Sequence, residues 1–143
     1  MQGHYDLYNP NLEDFEASIL EFSGLGCDVM ITELDVSALP LPWGFSGADI
    51  ASNFALRDSL NPYPGGLPDS MQVVLADRYA DLFRVMVKHS DKISRVTFWG
   101  TYDRVSWKNN FPVRGRTDYP LLFDRNYQPK PAFDAVIKVA QDG

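Results

Sequence analysis

Two carboxylates at the end of an apolar segment are the first residues of this sequence that could do chemistry. Glu33 and Asp35 close the segment 28–36 (DVMITELDV), which has the composition of a buried strand. Alternation along a strand places both of them on one face with Val29 and Ile31. Burying a carboxylate is costly unless it is hydrogen-bonded or used. The pair therefore does acid–base or nucleophilic chemistry, or it caps the next loop or pairs with arginines.

A second polar pair lies near the start of the chain. Gln2 and His4 belong to MQGHYD, which is predicted to be the carboxyl end of another strand, so their side chains point to one side. An imidazole beside carboxylates can orient one of them and influence its protonation. The alternative is a structural histidine whose hydrogen bonds are satisfied within the fold.

Two tryptophans bracket the end of a further strand. Trp99 belongs to the segment 95–102 (RVTFWGTY), which is predicted to be a strand, and Trp107 follows in the polar run SWKNN. Core packing explains Trp99 as well as a binding role does. Trp107 is harder to assign to a core, because its neighbours in sequence are polar.

The periodicity of apolar residues predicts three strands that alternate with three helices. The expected strands are 1–6, 28–36 and 95–102, and the expected helices are 12–24, 70–89 and one that begins at Pro131. This order implies an α/β fold with parallel strands and right-handed crossovers. The links that follow strands are long, from Ser37 to Asp69 and from Asp103 to Lys130. Such loops are where α/β proteins place their sites.

Each predicted helix has one apolar face and recognisable ends. Asn11 is expected to cap the first helix, with Asp14 three residues on, and Asp69 or Ser70 to cap the second. The chain is 45% hydrophobic, so it can bury these faces in a sizeable core. The apolar faces comprise Leu12, Phe15, Ile19 and Phe22; Met71, Val74, Leu75, Tyr79, Leu82, Phe83 and Met86; and Phe133, Val136, Ile137 and Ala140.

Length, charge and cysteine content limit the class of protein. A chain of 143 residues suits one domain of ordinary length, and its net charge of −6 argues against binding to nucleic acid phosphates. The single cysteine, Cys27, excludes an internal disulfide and a multi-cysteine metal site, and it is expected to be a buried, inert thiol. The sequence has no apolar run of about 18 residues that would predict a membrane span. Its opening residues lack the pattern of a signal peptide.

Four segments together resemble the C-terminal part of a glycoside hydrolase family 10 catalytic domain, the endo-β-1,4-xylanase family. They are the QGH opening, ITELDV, FWGTYDRVSW and NYQPKPAFDAV, and the resemblance covers essentially the whole chain. The combination of T-E-L-D with W-G-x-x-D-x-x-S-W is specific. The resemblance implies about three βα units, the sixth to the eighth, of a (β/α)8 TIM barrel that is incomplete on its own. Residues 1–143 would form the C-terminal portion of one catalytic domain, with no second domain.

The resemblance also implies a role for each chemistry-bearing residue. Glu33 matches the catalytic nucleophile of a retaining glycosidase, and His4 and Asp35 match the pair that hydrogen-bonds around it. Aromatic faces suit the C–H faces of a pyranose, and hydrogen-bonding groups select its hydroxyls. The residues that match substrate-binding positions are a glutamine at the cleavage site, a tryptophan at its floor and a tryptophan that closes over the sugar: Gln2, Trp99 and Trp107.

The chain departs from the family in what it lacks. A complete barrel takes roughly 250 residues. The family's acid/base glutamate follows an asparagine on an earlier strand, and no Asn-Glu dipeptide occurs here. Glu13 and Glu21 are expected in a helix, and Asp49, Asp58 and Asp103 are the conceivable substitutes in the long loops. The acid/base residue is therefore expected from the N-terminal part of the same barrel, and this chain alone is expected to be inactive.

Two classes of function follow from the resemblance. The first is retaining hydrolysis of internal β-1,4-xylosidic bonds in xylan, or of another β-1,4-glycan such as cellulose. The second is a non-catalytic barrel remnant that holds xylan through Trp99, Trp107 and Gln2. Xylan or xylo-oligosaccharide is the implied ligand, without a cofactor, metal, nucleic acid or membrane partner. The parent enzyme is expected to be secreted or periplasmic.

Overall fold

Strands and helices alternate along the chain and build a small parallel sheet. A computed structural model describes residues 1–45 and 53–143. Its strands and α-helices are β1 (Gln2–Asp6), α1 (Leu12–Gly24), β2 (Val29–Ser37), α2 (Asp69–Lys88), β3 (Ile93–Phe98) and α3 (Pro131–Asp142). The strands pair in parallel in the order β1-β2-β3. The predicted order of elements is confirmed, and the carboxyl ends of the three strands meet at one edge of the sheet.

The core lies between the sheet and the apolar faces of the helices. Phe15 and Ile19 of α1, Leu75 and Tyr79 of α2, and Val136 of α3 are buried, as their spacing predicts. Four other residues of the predicted apolar faces are exposed, because they lie at the margins of those faces: Phe22, Val74, Ile137 and Ala140. Among the described residues, no helix is long and apolar enough to cross a membrane.

The N-terminal starts of two of the three α-helices follow local sequence rules. The Asn11 side chain accepts a hydrogen bond from the Asp14 amide at 2.8 Å, which confirms the predicted cap of α1. Pro131 occupies the first turn of α3, also as predicted. The predicted cap of α2 is wrong, because Asp69 already lies within the helix and Pro68 precedes it without a side-chain cap.

Two further expectations fail for local reasons. Cys27 is exposed, because it lies in the turn between α1 and β2 rather than in the buried part of the strand. β3 ends at Phe98 and not at residue 102. Gly100 follows with a φ of +141°, and a Cβ atom there would lie 2.9 Å from the Leu121 Cδ1 atom. Only glycine therefore suits this turn away from the sheet.

Both long links expected after strands are present at the carboxyl edge of the sheet. The first long loop (38–68) contains the short 3₁₀ helix Asp58–Leu60, and the second long loop (99–130) contains Asp103–Val105 and Trp107–Asn109. Residues 46–52, and with them Asp49, lie outside the described residues. The second loop carries Trp99 and Trp107, so its shape decides where these rings lie.

Buried polar side chains hold the second long loop in shape. We call this group the loop anchor; it comprises Asp103, Asn109, Arg116, Asp118 and Lys130, all of which are buried. The Lys130 Nζ atom lies 3.1 Å from Asp103 Oδ2, and Arg116 Nη2 lies 2.8 Å from Asp118 Oδ2. The Asn109 side chain donates to the Asp103 carbonyl at 2.9 Å and accepts from the Asp118 amide at 3.0 Å.

Burial shifts the protonation of the charged members of the loop anchor. It raises the pKa of Asp103 from 3.8 to about 6 and also raises the pKa of Asp118, because both carboxylates lose water. Desolvation lowers the pKa values of Arg116 and Lys130 for the same reason. Each charge is nevertheless paired, which is the condition under which proteins tolerate buried ions.

Candidate active site

The backbone of β2 departs from a regular strand at Glu33. Its φ is +58°, in the left-handed region that non-glycine residues rarely adopt. Gln2 pairs with Thr32 and His4 pairs with Asp35. Between these two pairs, β2 contains one residue more than β1, which makes a β-bulge. A bulge of this kind redirects a side chain. The prediction that simple alternation aligns Glu33 with Val29 and Ile31 is therefore wrong.

Leu34 takes the place that Glu33 would have in a regular strand, and Gly3 makes room for it. A Cβ atom at Gly3 would lie 3.1 Å from Leu34 Cδ1 and 3.2 Å from Ile31 Cγ2. These distances are tighter than ordinary van der Waals contacts. The glycine between Gln2 and His4 thus allows β1 to approach the bulge closely, and the bulge turns Glu33 toward the two polar side chains of β1.

Four side chains of the neighbouring strands β1 and β2 meet, and we call them the carboxylate cluster: Gln2, His4, Glu33 and Asp35. Gln2 Nε2 donates to Glu33 Oε1 at 3.1 Å, and His4 Nε2 lies 3.0 Å from Glu33 Oε2. The other ring nitrogen, His4 Nδ1, lies 3.1 Å from Asp35 Oδ2. The prediction that His4 lies within hydrogen-bond reach of Glu33 or Asp35 is confirmed, and the structure shows both contacts. Both bonds form together when each ring nitrogen carries a proton.

The two carboxylates of the cluster differ in exposure. The Glu33 side chain is 23% exposed, whereas that of Asp35 is fully buried. Each Glu33 oxygen has a hydrogen-bond partner, so the carboxylate is held in one orientation while remaining accessible. Such a group is suited to attack an electrophilic carbon or to exchange a proton.

Trp107 and Lys108 secure the buried Asp35 from the second long loop. The Trp107 indole Nε1 donates to Asp35 Oδ2 at 2.7 Å. The Lys108 Nζ atom lies 3.7 Å from Asp35 Oδ1 and 5.1 Å from the centre of the Trp107 ring. The sequence argument assigned no role to Lys108, because nothing in SWKNN distinguishes a buried lysine from a solvated one. It is a member of the site that only the structure reveals.

Aromatic rings and one cavity flank the cluster. The Trp107 ring centre lies 4.7 Å from that of His4, and the Trp99 ring meets His4 edge-on at 6.5 Å. Trp99 is 47% exposed, which excludes full burial in the core. A cavity of about 380 Å³ opens beside His4, and we call it the site cavity. Leu41, Phe45 and Lys108 also line it.

Of the acidic residues considered as acid/base substitutes, the two that the structure describes, Asp58 and Asp103, do not join the cluster. Asp103 is fully buried in the loop anchor, where its carboxylate accepts hydrogen bonds from Lys130 and from the Leu121 amide. Asp58 is exposed in the first long loop. The sequence-based elimination did not consider Glu16; it lies in α1, where it pairs with Lys88 at 2.7 Å and His89 at 2.6 Å. These pairs lower the pKa of Glu16.

The sequence pattern of glycosyl hydrolase family 10 matches residues 1–139, nearly the whole chain. The chain belongs to this family. The endo-1,4-β-xylanase A of Xylanibacter ruminicola is 47% identical over 139 residues, which are 97% of this chain and 38% of that protein. The thermostable celloxylanase of Thermoclostridium stercorarium is 42% identical and is matched over 31% of its length. The chain thus spans about a third of the length of these curated relatives.

Solved structures of family 10 proteins support the same fold. A family 10 endoxylanase from a sugarcane soil metagenome superimposes with a TM-score of 0.93 at 42% identity, over 97% of this chain and 40% of that one. A mutant relative solved in complex with xylotriose gives a TM-score of 0.73 at 35% identity, over 95% of this chain and 37% of that one. The expected fold class is confirmed: the open sheet and its helices are part of a family 10 (β/α)8 barrel.

Proposed function

We propose that this chain supplies the nucleophile half of a retaining site that hydrolyses internal β-1,4-xylosidic bonds in xylan. The observation that carries the proposal is the orientation of Glu33, whose two carboxylate oxygens are bound by Gln2 and His4 while the side chain stays accessible. In a retaining glycosidase, such a carboxylate attacks the anomeric carbon and forms a covalent glycosyl-enzyme. Water then releases the sugar.

The remaining members of the site take supporting roles in this proposal. His4 and Asp35 orient the nucleophile, and Trp107 and Lys108 hold Asp35 in place from the second long loop. Trp99 offers an exposed aromatic face to the sugar. Trp107, in the same loop, packs beside His4 and covers the sugar from there. Gln2 presents an amide at the same point, where it can bind a hydroxyl group of the sugar.

The second carboxyl group of the site has to come from elsewhere. A retaining enzyme needs an acid/base group about 5–5.5 Å from the nucleophile. Within the described part of the chain, the carboxylate nearest to Glu33 through hydrogen bonds is Asp35, which is buried and already bound on one oxygen by Trp107 and His4. We infer that the acid/base glutamate lies on the N-terminal part of the same barrel and that this chain alone does not hydrolyse xylan.

Cellulose is a second candidate substrate for the complete barrel. One relative at 42% identity carries the name celloxylanase, which favours a test of cellulose beside xylan.

The non-catalytic alternative is a xylan-binding remnant that uses Gln2, Trp99 and Trp107 without cleavage. Xylan is a polymer outside the cell, so we propose a secreted or periplasmic site of action for the parent enzyme.

The decisive experiment restores the missing part of the barrel. We define the hybrid barrel as the Xylanibacter ruminicola relative in which this chain replaces the 139 matched residues. The hybrid barrel is expected to hydrolyse xylan, whereas the chain alone is expected to bind xylo-oligosaccharide weakly and to release no product. Reducing-end release from xylan and from carboxymethyl cellulose distinguishes the two substrates.

The matched control is the hybrid barrel with Glu33→Gln, which should bind xylan without cleaving it. Xylan hydrolysis by the isolated chain, after its mass and purity are verified, would contradict the need for a partner. A folded hybrid barrel that binds xylan but never cleaves it would favour the binding remnant.

A further inference from the structure

A tryptophan outside the carboxylate cluster is almost completely exposed to solvent. Trp43, near the start of the first long loop, is 98% exposed. Burial of an aromatic side chain is strongly favourable, so one left in water contributes nothing to the stability of the fold. Exposed apolar surface of this kind marks sites of interaction.

The backbone presents Trp43 at the tip of a tight turn. The Phe45 amide donates to the Pro42 carbonyl at 3.1 Å, and Gly44 has a φ of +80°, as the third residue of a type II turn requires. The base of the turn is held by Phe45, whose ring contacts those of Phe54 and Phe111 with centres 6.2 and 5.7 Å apart. The backbone that carries the Trp43 ring is therefore fixed before a ligand binds, which lowers the entropy cost of binding.

A second cavity lies beside the Trp43 ring and combines apolar and polar groups. It has a volume of about 440 Å³, and we call it the loop cavity. Trp43, Phe54, Arg57 and Ser59 are among the residues that line it. A flat aromatic face with a guanidinium and a hydroxyl group close by is the combination that suits a pyranose ring, which has apolar C–H faces and hydroxyl groups at its rim.

The loop cavity is connected to the active site by a row of aromatic rings. Trp107 stacks on Phe111 with ring centres 4.8 Å apart, Phe111 contacts Phe45, and Phe45 contacts Phe54. Phe45 lines the site cavity and Phe54 the loop cavity. The Phe54 amide donates to the Pro112 carbonyl at 3.0 Å, which ties the two long loops together. These contacts link the side chains that line the two cavities, and they place Trp43 at the far end of the row from Trp107.

We propose that Trp43 and the loop cavity form a distal subsite for the backbone of a β-1,4-linked xylan chain. The inference rests on the proposed function, since it extends the same binding site. The Trp43 ring stacks on the C–H face of a sugar unit, and Arg57 and Ser59 hydrogen-bond its hydroxyl groups. Only substrates long enough to extend beyond the site cavity benefit from this contact.

The test compares a long and a short substrate on the hybrid barrel. The measured quantity is the ratio of kcat/KM on xylohexaose to kcat/KM on an aryl xylobioside. Trp43→Ala is expected to lower this ratio about two- to tenfold, the effect of one lost aromatic contact. Trp43→Phe keeps an aromatic face and is expected to recover most of the ratio. Leu25→Ala is the matched control, since Leu25 is 75% exposed at the opposite edge of the sheet.

Failure of this inference differs from failure of the proposed function. An unchanged ratio in Trp43→Ala, in a hybrid barrel that cleaves both substrates, overturns the distal subsite and leaves the proposed function intact. If the hybrid barrel cleaves neither substrate, the proposed function fails. Calorimetric titration with xylohexaose then decides the subsite, because Trp43→Ala must weaken binding about two- to tenfold for the subsite to stand.

Discussion

The carboxylate cluster and the loop anchor are built from the same kinds of side chains and treat them differently. In the cluster, Glu33 has hydrogen-bond partners on both oxygens yet remains 23% exposed. In the anchor, Asp103 and Asp118 are fully buried and paired with Lys130 and Arg116. One region holds a carboxylate ready for a reactant, and the other uses carboxylates to fold a loop.

This contrast shows that the type of residue at a strand end does not reveal its task. Asp35 lies within β2 just after the bulge, and Asp103 lies in the loop that follows β3, yet both are buried. The difference lies in their partners. The Asp103 carboxylate binds the Leu121 amide and Lys130, whereas the Asp35 carboxylate binds His4, which in turn contacts the accessible carboxylate of Glu33. Removing cluster members should impair activity, and removing anchor members should impair stability.

The largest expected effect is on activity, from Glu33→Gln in the hybrid barrel. Loss of the nucleophile is expected to lower kcat on xylan at least about a thousandfold. Xylan binding and the unfolding midpoint should change little, because the amide keeps the shape of the side chain. Retention of more than a few per cent of the rate contradicts the assignment. In Glu33→Gly, added azide should restore turnover and yield the α-glycosyl azide, since the anion attacks from the vacated face.

The next effect is on stability, from Asp118→Asn in the loop anchor. The change leaves Arg116 as a buried cation without its partner carboxylate, which typically costs about 3–5 kcal/mol. Urea unfolding of the hybrid barrel should show the loss as a lower midpoint, and activity below that midpoint should persist. An unaltered midpoint means that the anchor does not stabilise the loop. Arg116→Met in the same background is the control, and it should recover part of the loss.

A smaller effect tests whether His4 orients the nucleophile. His4→Phe keeps a ring beside Trp107 and removes the bonds to Glu33 and Asp35. A misplaced nucleophile is expected to lower kcat about 10- to 100-fold, with less change in KM. Comparison of kcat and KM with those of the parent hybrid barrel measures this. A loss confined to KM would instead indicate that His4 contacts substrate.

The smallest effect is a pH dependence confined to the anchor. Burial raises the pKa of Asp103 from 3.8 to about 6, so the native protein holds this proton more tightly than the unfolded chain does. Its contribution to the free energy of unfolding is fully present below about pH 4 and is lost as the pH rises through about 6. The difference in melting temperature between the parent hybrid barrel and Asp103→Asn should shrink over this range. If the difference in melting temperature does not vary with pH, the pKa of Asp103 is not raised in the native protein.

Local rules predicted the elements well, because the relevant contacts lie a few residues apart. The start of α1 follows from Asn11, whose side chain accepts a hydrogen bond from the amide of Asp14, and the start of α3 follows from Pro131. Cys27 and Phe22 show where such rules fail. An apolar residue near the end of a helix, or in the turn before a strand, is buried only if a neighbouring element covers it.

The sequence by itself determined the order of the elements, the family and the four residues of the carboxylate cluster, since each follows from short motifs or from spacing. Tertiary structure decided how they meet. The bulge that reorients Glu33 depends on Gly3, about thirty positions away in the chain, and the burial of Lys108 depends on its contact with Asp35. Ser37 bonds Asp118 across 81 positions. Such contacts leave no local pattern, because they arise only when distant segments pack together.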